Sequence, residues 1–171
     1  MIARRRLAAA AVSSALLAGC AALAPPVPGD RLAGRLAVQV EGDAQRSFSS
    51  AFELSGSAER GRLVLTSPLG TQMGRAEWSP GRAELDDGRQ QRHYADLQDL
   101  AEQALGERVP IAALFDWLRG RPTPGAPSEP QPGGFEQLGW RVDVSRRDAG
   151  LVEAKRDSTP RVTVRARLDA P

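Results

Sequence analysis

The chain has 171 residues, of which 23 are Lys or Arg and 21 are Asp or Glu. The arginines at positions 4 to 6 lie in a segment that we predict to be removed, so residues 20–171 carry 20 basic and 21 acidic residues, a net charge of −1. This near-neutral balance argues against a nucleic-acid partner, which requires a clustered basic face. The length suffices for one domain with its own core.

The N-terminal segment, residues 1–19, has the composition of a secretory signal peptide. A basic start, Arg4 to Arg6, precedes an apolar run of twelve residues from Leu7 to Ala18. Such a run is too short to span a bilayer as a helix, which takes about 20 residues. A short apolar run between a basic start and small residues is typical of a cleaved signal.

Cys20 follows this segment and is the only cysteine, so it cannot form a disulfide within the chain. The tetrapeptide that ends at Cys20, Leu-Ala-Gly-Cys, resembles a bacterial lipobox, which predicts that Cys20 is lipidated; a buried thiol is the alternative. Ala21 stands where an Asp usually directs retention in the inner membrane, so we expect an outer-membrane lipoprotein facing the periplasm. Pro25, Pro26 and Pro28 predict a semi-rigid tether over residues 20–33.

Residues 34–171 form the remaining chain. In its first half, apolar and polar residues alternate with a period of two. This pattern predicts strands with one buried and one hydrated face. Its apolar positions are Leu36, Val38, Val40, Phe48, Phe52, Leu54, Leu63, Leu65, Ala76 and Trp78. Gly- and Pro-containing turns at hairpin spacing separate these runs.

The period then becomes helical. Leu97, Leu100, Ala101, Ala104 and Leu105 share one face of a first helix, for which Asp96 is the predicted N-cap and Gly106 the residue after the end. A second helix begins at Pro110 and ends at Gly120 and Pro122, and its apolar residues are Ile111, Leu114, Phe115 and Leu118.

Five prolines between Arg121 and Gly134 predict a loop that cannot enter a sheet interior. Strands return around Trp140–Val144 and Arg161–Leu168. Helices grouped in one insertion between strands indicate an α+β fold. About 9–11 antiparallel strands tend to curl, so we expect a half-open β-barrel with a helical lid over an apolar cavity.

Residues for catalysis are scarce. His93 is the only histidine, and Asp86-Asp87 before Gly88 is typical of a hairpin turn rather than of an acid–base pair. We therefore expect a protein that is not an enzyme and that has no metal site and no cofactor.

The segment Ser67-Pro68-Leu69-Gly70 has the preferred composition of a type I turn, which puts Leu69 at its tip. An exposed leucine forgoes about 1.5–3 kcal/mol of burial. Leu69 either folds back onto neighbouring side chains or acts as a hydrophobic probe that enters a bilayer or contacts a ligand.

Five segments together resemble the LolB family of outer-membrane lipoproteins. They are the lipobox, Gly34–Val38, Leu63–Gly70, the helical region with Leu105-Gly106, Val109–Ile111, Leu114 and Trp117–Pro122, and Gly139–Val142. The resemblance implies a monomeric receptor that takes acylated lipoproteins from the periplasmic carrier LolA and inserts them into the outer membrane. It assigns membrane insertion to Pro68, Leu69 and Gly70. Family members usually have a longer segment before the first strand, so one lid helix is expected to be missing here.

The same resemblance implies an apolar cavity for the acyl chains of client lipoproteins. The candidates for its lining and lid are Phe48, Phe52, Trp78, Leu97, Leu100, Leu114, Phe115, Trp117, Leu118 and Trp140. Taken one at a time, the aromatic candidates Phe48, Phe52, Trp78, Trp117 and Trp140 fit a solid core better than a cavity lining. A structural or accessory envelope lipoprotein with a solid barrel therefore stays open as the alternative.

Overall fold

The computed structural model of the chain describes residues 30–105 and 109–170. The predicted signal peptide, Cys20 and Gly106 lie outside the described residues.

The described chain forms eleven strands, two α-helices and one 3-10 turn. Six strands precede the helices: β1 Asp30–Val40, β2 Asp43–Gly56, β3 Gly61–Thr66, β4 Gln72–Ser79, β5 Arg82–Asp86 and β6 Gln91–Tyr94. The helices are α1 Leu97–Leu105 and α2 Ile111–Trp117. The remaining elements are β7 Ser128–Gln131, β8 Gly134–Gln137, β9 Trp140–Asp143, the 3-10 turn Arg147–Ala149, β10 Leu151–Arg156 and β11 Val162–Leu168.

All strands belong to one antiparallel sheet in the order β6-β5-β4-β3-β2-β1-β11-β10-β9-β8-β7. The first and last strands of the chain are neighbours at the centre of the sheet. Its two edges, β6 and β7, do not pair with each other, so the sheet is open. The strand count and the grouping of both helices in one insertion confirm the predicted α+β architecture.

One face of the sheet is mainly apolar, and its buried polar side chains are Ser50 and Gln137. On the central pair, Val38 lies opposite Val164 and Val40 opposite Val162, and all four side chains are buried. The other face carries polar and charged side chains because successive residues of a strand point to opposite faces. Gly34 lies where these strands approach closely: a Cβ there would be 2.0 Å from the Arg167 carbonyl oxygen.

The sheet curls around helix α2. Six inter-strand steps of about 4.8 Å would place β4 and β9 roughly 29 Å apart in a flat sheet. Two side chains of α2 nevertheless contact both strands: Phe115 packs edge-on against Trp78 of β4 at 5.7 Å, and Trp117 packs against Trp140 of β9 at 6.2 Å between ring centroids. A short helix bridges these strands only because the sheet bends towards it.

Both helices begin and end close to the predicted positions. Asp96 caps α1, since its Oδ1 accepts a hydrogen bond from the Asp99 N–H at 2.8 Å. Helix α2 begins at Ile111. Pro110, which was predicted to be its first residue, is instead its N-cap. Gly120 ends its C-terminal turn at φ +81°, a conformation that glycine adopts without strain.

Two predicted boundaries were wrong. Strand β1 begins at Asp30 rather than at Gly34, so residues 30–33 pair with β2 instead of extending the tether. The last proline of the tether is Pro28, so every residue of β1 can donate a backbone N–H. Ser128–Gln131, expected in a loop, forms β7. It is an edge strand, the position at which a sheet tolerates a proline such as Pro130.

Candidate functional site

The turn between β3 and β4 is closed by three hydrogen bonds. The Gly70 N–H donates to the Ser67 carbonyl at 2.9 Å, the Ser67 N–H donates to the Thr71 carbonyl at 2.8 Å, and the Thr71 N–H donates to Ser67 Oγ at 3.2 Å. Leu69 does not have a positive φ, which excludes a type II turn, and Gly70 has φ +83°. The segment is therefore a type I turn followed by a left-handed glycine, a common three-residue hairpin loop.

Leu69 projects from this turn into solvent. Its side chain is 94% exposed, so the alternative in which it folds back onto its neighbours is wrong. At this exposure the leucine contributes almost no burial to the folded domain. A large apolar side chain that stands in solvent is available to a partner outside the domain.

The residues expected to line the cavity form one hydrophobic cluster between the helices and the sheet. Eight of them are buried in that cluster: Phe52, Trp78, Leu97, Leu100, Phe115, Trp117, Leu118 and Trp140. Phe48 and Leu114 are partly buried and pack against it. The side chains predicted from the sequence therefore do lie between the helices and the sheet, and in this conformation they pack against one another.

Gln137 is a buried polar residue that sequence reasoning missed. Its Oε1 accepts hydrogen bonds from Trp117 Nε1 at 2.9 Å and from the Thr123 N–H at 2.8 Å. Its Nε2 donates to the carbonyls of Thr123 at 2.9 Å and Ala126 at 3.0 Å. All four hydrogen-bonding sites of the amide are occupied, so Gln137 joins α2 and the following loop to strand β8. The only feature of the sequence that indicated its burial was its position two residues after Phe135 on a short strand.

The segment Trp117–Pro122 fixes the C-terminal end of α2. Arg119 Nη1 donates to the Phe115 carbonyl at 2.7 Å, and Arg147 Nε donates to the Leu118 carbonyl at 2.7 Å, which satisfies groups that a helix end leaves unpaired. Arg121 pairs with Asp116 at 2.9 Å. This motif, which carried much of the family resemblance, is therefore a device that anchors one end of α2.

Ion pairs link neighbouring strands on the outer face of the sheet. Glu153 of β10 contacts both Lys155 and Arg165, and Arg165 also donates to Gln39 Oε1 at 2.9 Å. Burial by itself would raise the pKa of Glu153, but the hydrogen bonds from Lys155 and Arg165 outweigh it and hold that pKa below its ordinary value. This face resembles an ordinary hydrated surface rather than a reaction centre.

The residues considered for chemistry lie on the surface. His93 is exposed, with Nδ1 3.0 Å from Glu84. Asp86 and Asp87 form the predicted turn: Asp87 Oδ1 accepts the backbone N–H groups of Arg89 and Gln90. The backbone hydrogen bonds from Gln90 and Arg89 hold the pKa of Asp87 below its usual range.

Within residues 30–105 and 109–170, no group of three or more His, Cys, Asp or Glu side chains is arranged to hold a metal ion. Neither helix in this part of the chain has the length and apolarity needed to cross a membrane.

Comparison with known proteins gives one consistent result. Residues 31–164 match the family model described as outer membrane lipoprotein LolB. The chain is 35% identical over 177 residues to the outer-membrane lipoprotein LolB of Bordetella petrii and 36% identical over 176 residues to that of Bordetella pertussis; each match covers 92% of this chain and 88% of the relative. The protein of the same name from Ralstonia nicotianae is 35% identical over 150 residues, with 77% of this chain and 72% of the relative covered.

Proposed function

This chain belongs to the family of outer-membrane lipoproteins LolB, and we propose that it receives acylated lipoproteins from the periplasmic carrier LolA and inserts them into the outer membrane. The observation that carries the proposal is Leu69, 94% exposed on a turn that its own hydrogen bonds hold rigid. Pro68, Leu69 and Gly70 are the membrane-insertion loop.

Leu69 makes the contact with the bilayer in this proposal. Burying a leucine side chain in hydrocarbon is worth about 1.5–3 kcal/mol, or roughly a 10- to 100-fold gain in partitioning. The turn loses little conformational entropy on insertion because it is already ordered. A contact of this size is strong enough to hold the turn at the bilayer and weak enough to be released after each delivery.

The acyl chains of the client enter between the helices and the sheet. In the described conformation side chains fill this space, so an acyl chain is admitted when the helices move away from the sheet. The C-terminal end of α2 is held by Gln137 and Arg147, whereas Phe115 meets Trp78 through ring contacts alone. The space therefore opens on the side of β4 to β6, where α1 also packs.

Transfer requires neither a nucleotide nor a catalytic residue. The client moves to whichever site binds its acyl chains more tightly, and a tenfold preference corresponds to about 1.4 kcal/mol. A path from carrier to receptor to bilayer needs only that the affinity increases at each step.

Cys20 carries the lipid anchor in this proposal. Nine residues, 21–29, separate it from Asp30, where β1 begins, and this stretch spans at most about 35 Å. Thr66, the last residue of β3, pairs with Ala51, and Ala51 pairs with Arg35, so the Leu69 turn lies just beyond the middle of β1, roughly 20 Å from Asp30 along the strand direction. The tether is therefore long enough for the anchor and Leu69 to meet the same leaflet.

The second candidate is a structural or accessory envelope lipoprotein with a solid core. The packing of Phe115 on Trp78 and of Trp117 on Trp140 favours it, because these rings occupy the space that an acyl chain would need. In this alternative the anchored domain has a structural or accessory role in the cell envelope, and it binds no acyl ligand.

The deciding experiment offers the lipidated protein, reconstituted in liposomes, a LolA–lipoprotein complex. We expect the lipoprotein to leave the carrier and appear in the liposome fraction, and a fluorescent fatty acid to bind the protein saturably and be displaced by the client. If the client stays on LolA and the fatty acid shows no saturable binding, the receptor proposal fails and the accessory function replaces it.

A further inference from the structure

The exposed large apolar side chains of the sheet are concentrated at one end. Among residues 30–105 and 109–170 they are Leu69, Met73 and Leu138. Leu69 lies in the β3–β4 turn, Met73 is the second residue of β4, and Leu138 lies in the two-residue turn between β8 and β9.

The two leucine turns point the same way because of the strand directions. Every neighbouring pair in the sheet is antiparallel, so β3 and β8 both run in the direction of β1. Each leucine turn follows the end of such a strand, and both lie opposite the end at which β1 begins. In the sheet order these turns stand on the two sides of the centre, so they flank the curled face that holds α2.

Leu138 is in a backbone conformation that does not suit leucine. Its φ is +53° and that of Gly139 is +75°. Positive φ at both central residues defines a type I′ turn, which strongly prefers Asn-Gly. Leu138 is also 51% exposed, so the folded domain recovers only part of the free energy that burying the side chain would give. Folding alone therefore favours Asn at this position.

We propose that Leu138 is a second membrane contact, which enters the inner leaflet of the outer membrane together with Leu69. The inference rests on the proposed function and extends it. The tips themselves, Ser67–Thr71 and Gln137–Trp140, contain no charged residue, so neither desolvates a charge on insertion. Two contacts on opposite sides of the curled sheet fix the orientation of its concave face towards the bilayer, which one contact cannot do.

The test places a fluorophore at single positions of the lipidated protein in vesicles. Cys20 is the only cysteine and its thiol is consumed by the lipid, so Leu138→Cys, Leu69→Cys and Ala58→Cys each give one labelling site. Ala58 is exposed in the β2–β3 connection at the opposite end of the sheet. We expect acyl-chain-brominated lipids to quench the labels at positions 69 and 138 and to leave the label at 58 unchanged.

The outcomes separate this inference from the proposed function. Quenching at 69 without quenching at 138 overturns the second contact and leaves the receptor proposal intact. Quenching at neither position contradicts both. If the fluorescence of the label at position 138 changes only when LolA is added, this turn contacts the carrier rather than the membrane. That result also overturns the inference.

The variant Leu138→Asn gives a second measurement that misfolding cannot mimic. Since Asn suits the type I′ turn, we expect a higher Tm together with delivery of lipoprotein that is roughly tenfold slower, the loss expected from one partly buried leucine. Ala58→Asn is the control and should leave delivery unchanged. Delivery at the normal rate by Leu138→Asn would overturn the inference.

Discussion

Trp117 donates its indole N–H to Gln137 Oε1 over 2.9 Å, and both side chains are almost completely buried. The pair joins the end of α2 to strand β8, so the helical insertion is held to the sheet by a polar contact inside an otherwise apolar cluster. Removing one member of such a pair leaves the other unsatisfied and out of reach of water.

We therefore predict that Gln137→Leu lowers the free energy of unfolding by about 3 kcal/mol, because Trp117 Nε1 and the backbone groups of Thr123 and Ala126 lose their partner. Urea unfolding measures the change. Gln131→Leu, on the exposed edge strand β7, is the control and should shift stability by less than about 0.5 kcal/mol. Equal effects of the two substitutions would show that the buried network contributes nothing.

Leu69→Glu should leave stability and acyl binding unchanged and should block delivery into membranes. The side chain is 94% exposed, so its replacement costs the fold less than about 0.5 kcal/mol, whereas a carboxylate resists entry into hydrocarbon. The measurement is transfer of a lipoprotein into liposomes, alongside fatty-acid binding. Ala58→Glu adds the same charge at the opposite end of the sheet and should deliver normally. Normal delivery by Leu69→Glu would remove the role assigned to the loop.

Phe115→Ala tests whether the space under α2 admits an acyl chain. The ring is 2% exposed and packs on Trp78, so its removal should cost about 3–5 kcal/mol of stability. If acyl chains bind there, the variant should bind a fluorescent fatty acid more tightly, since less packing must be displaced. Phe115→Leu keeps most of the side-chain volume. Its fatty-acid affinity and its stability should lie between those of Phe115→Ala and those of the original protein. A destabilised variant that gains no affinity would favour the solid-core accessory function.

Glu153 should make part of the stability depend on acid pH. Its pKa in the folded protein is held below the ordinary value of 4.5, because the hydrogen bonds from Lys155 and Arg165 outweigh the effect of burial. A depressed pKa gives a contribution that is complete above pH 4.5 and is lost as the pH falls through the folded-state value. We expect Glu153→Gln to be less stable by about 1 kcal/mol at neutral pH and to converge with the original protein in acid.

Urea unfolding at pH 7 and near pH 3 measures this difference. Glu136→Gln, on the outer side of β8, is the matched control, since the Glu136 carboxylate forms no ion pair within the described part of the chain. It should change stability by less than about 0.5 kcal/mol at pH 7. A Glu153→Gln defect that persists unchanged into acid would contradict the assignment.

The alternation of apolar residues by itself determined β1 to β4, β9 and β11, whereas β7 was expected to be a loop. The change to a period of 3.6 determined the two helices. These patterns suffice because a side chain's face follows from local backbone geometry alone. The Ser67–Gly70 turn was predictable for the same reason, since Pro68 and Gly70 act on the backbone within four residues. The start of β1 was missed because pairing with β2, a contact distant in sequence, extends the strand back to Asp30.

Only the tertiary structure decided what the exposed and buried residues do together. It brought Trp78 and Trp140, distant in the sheet order, to one short helix through curling, and it filled all four hydrogen-bonding sites of Gln137. It also left Leu69 in solvent and set Leu138 at the same end of the sheet. Exposure and spatial proximity depend on how distant segments pack, and a local pattern of apolar residues contains no information about that packing.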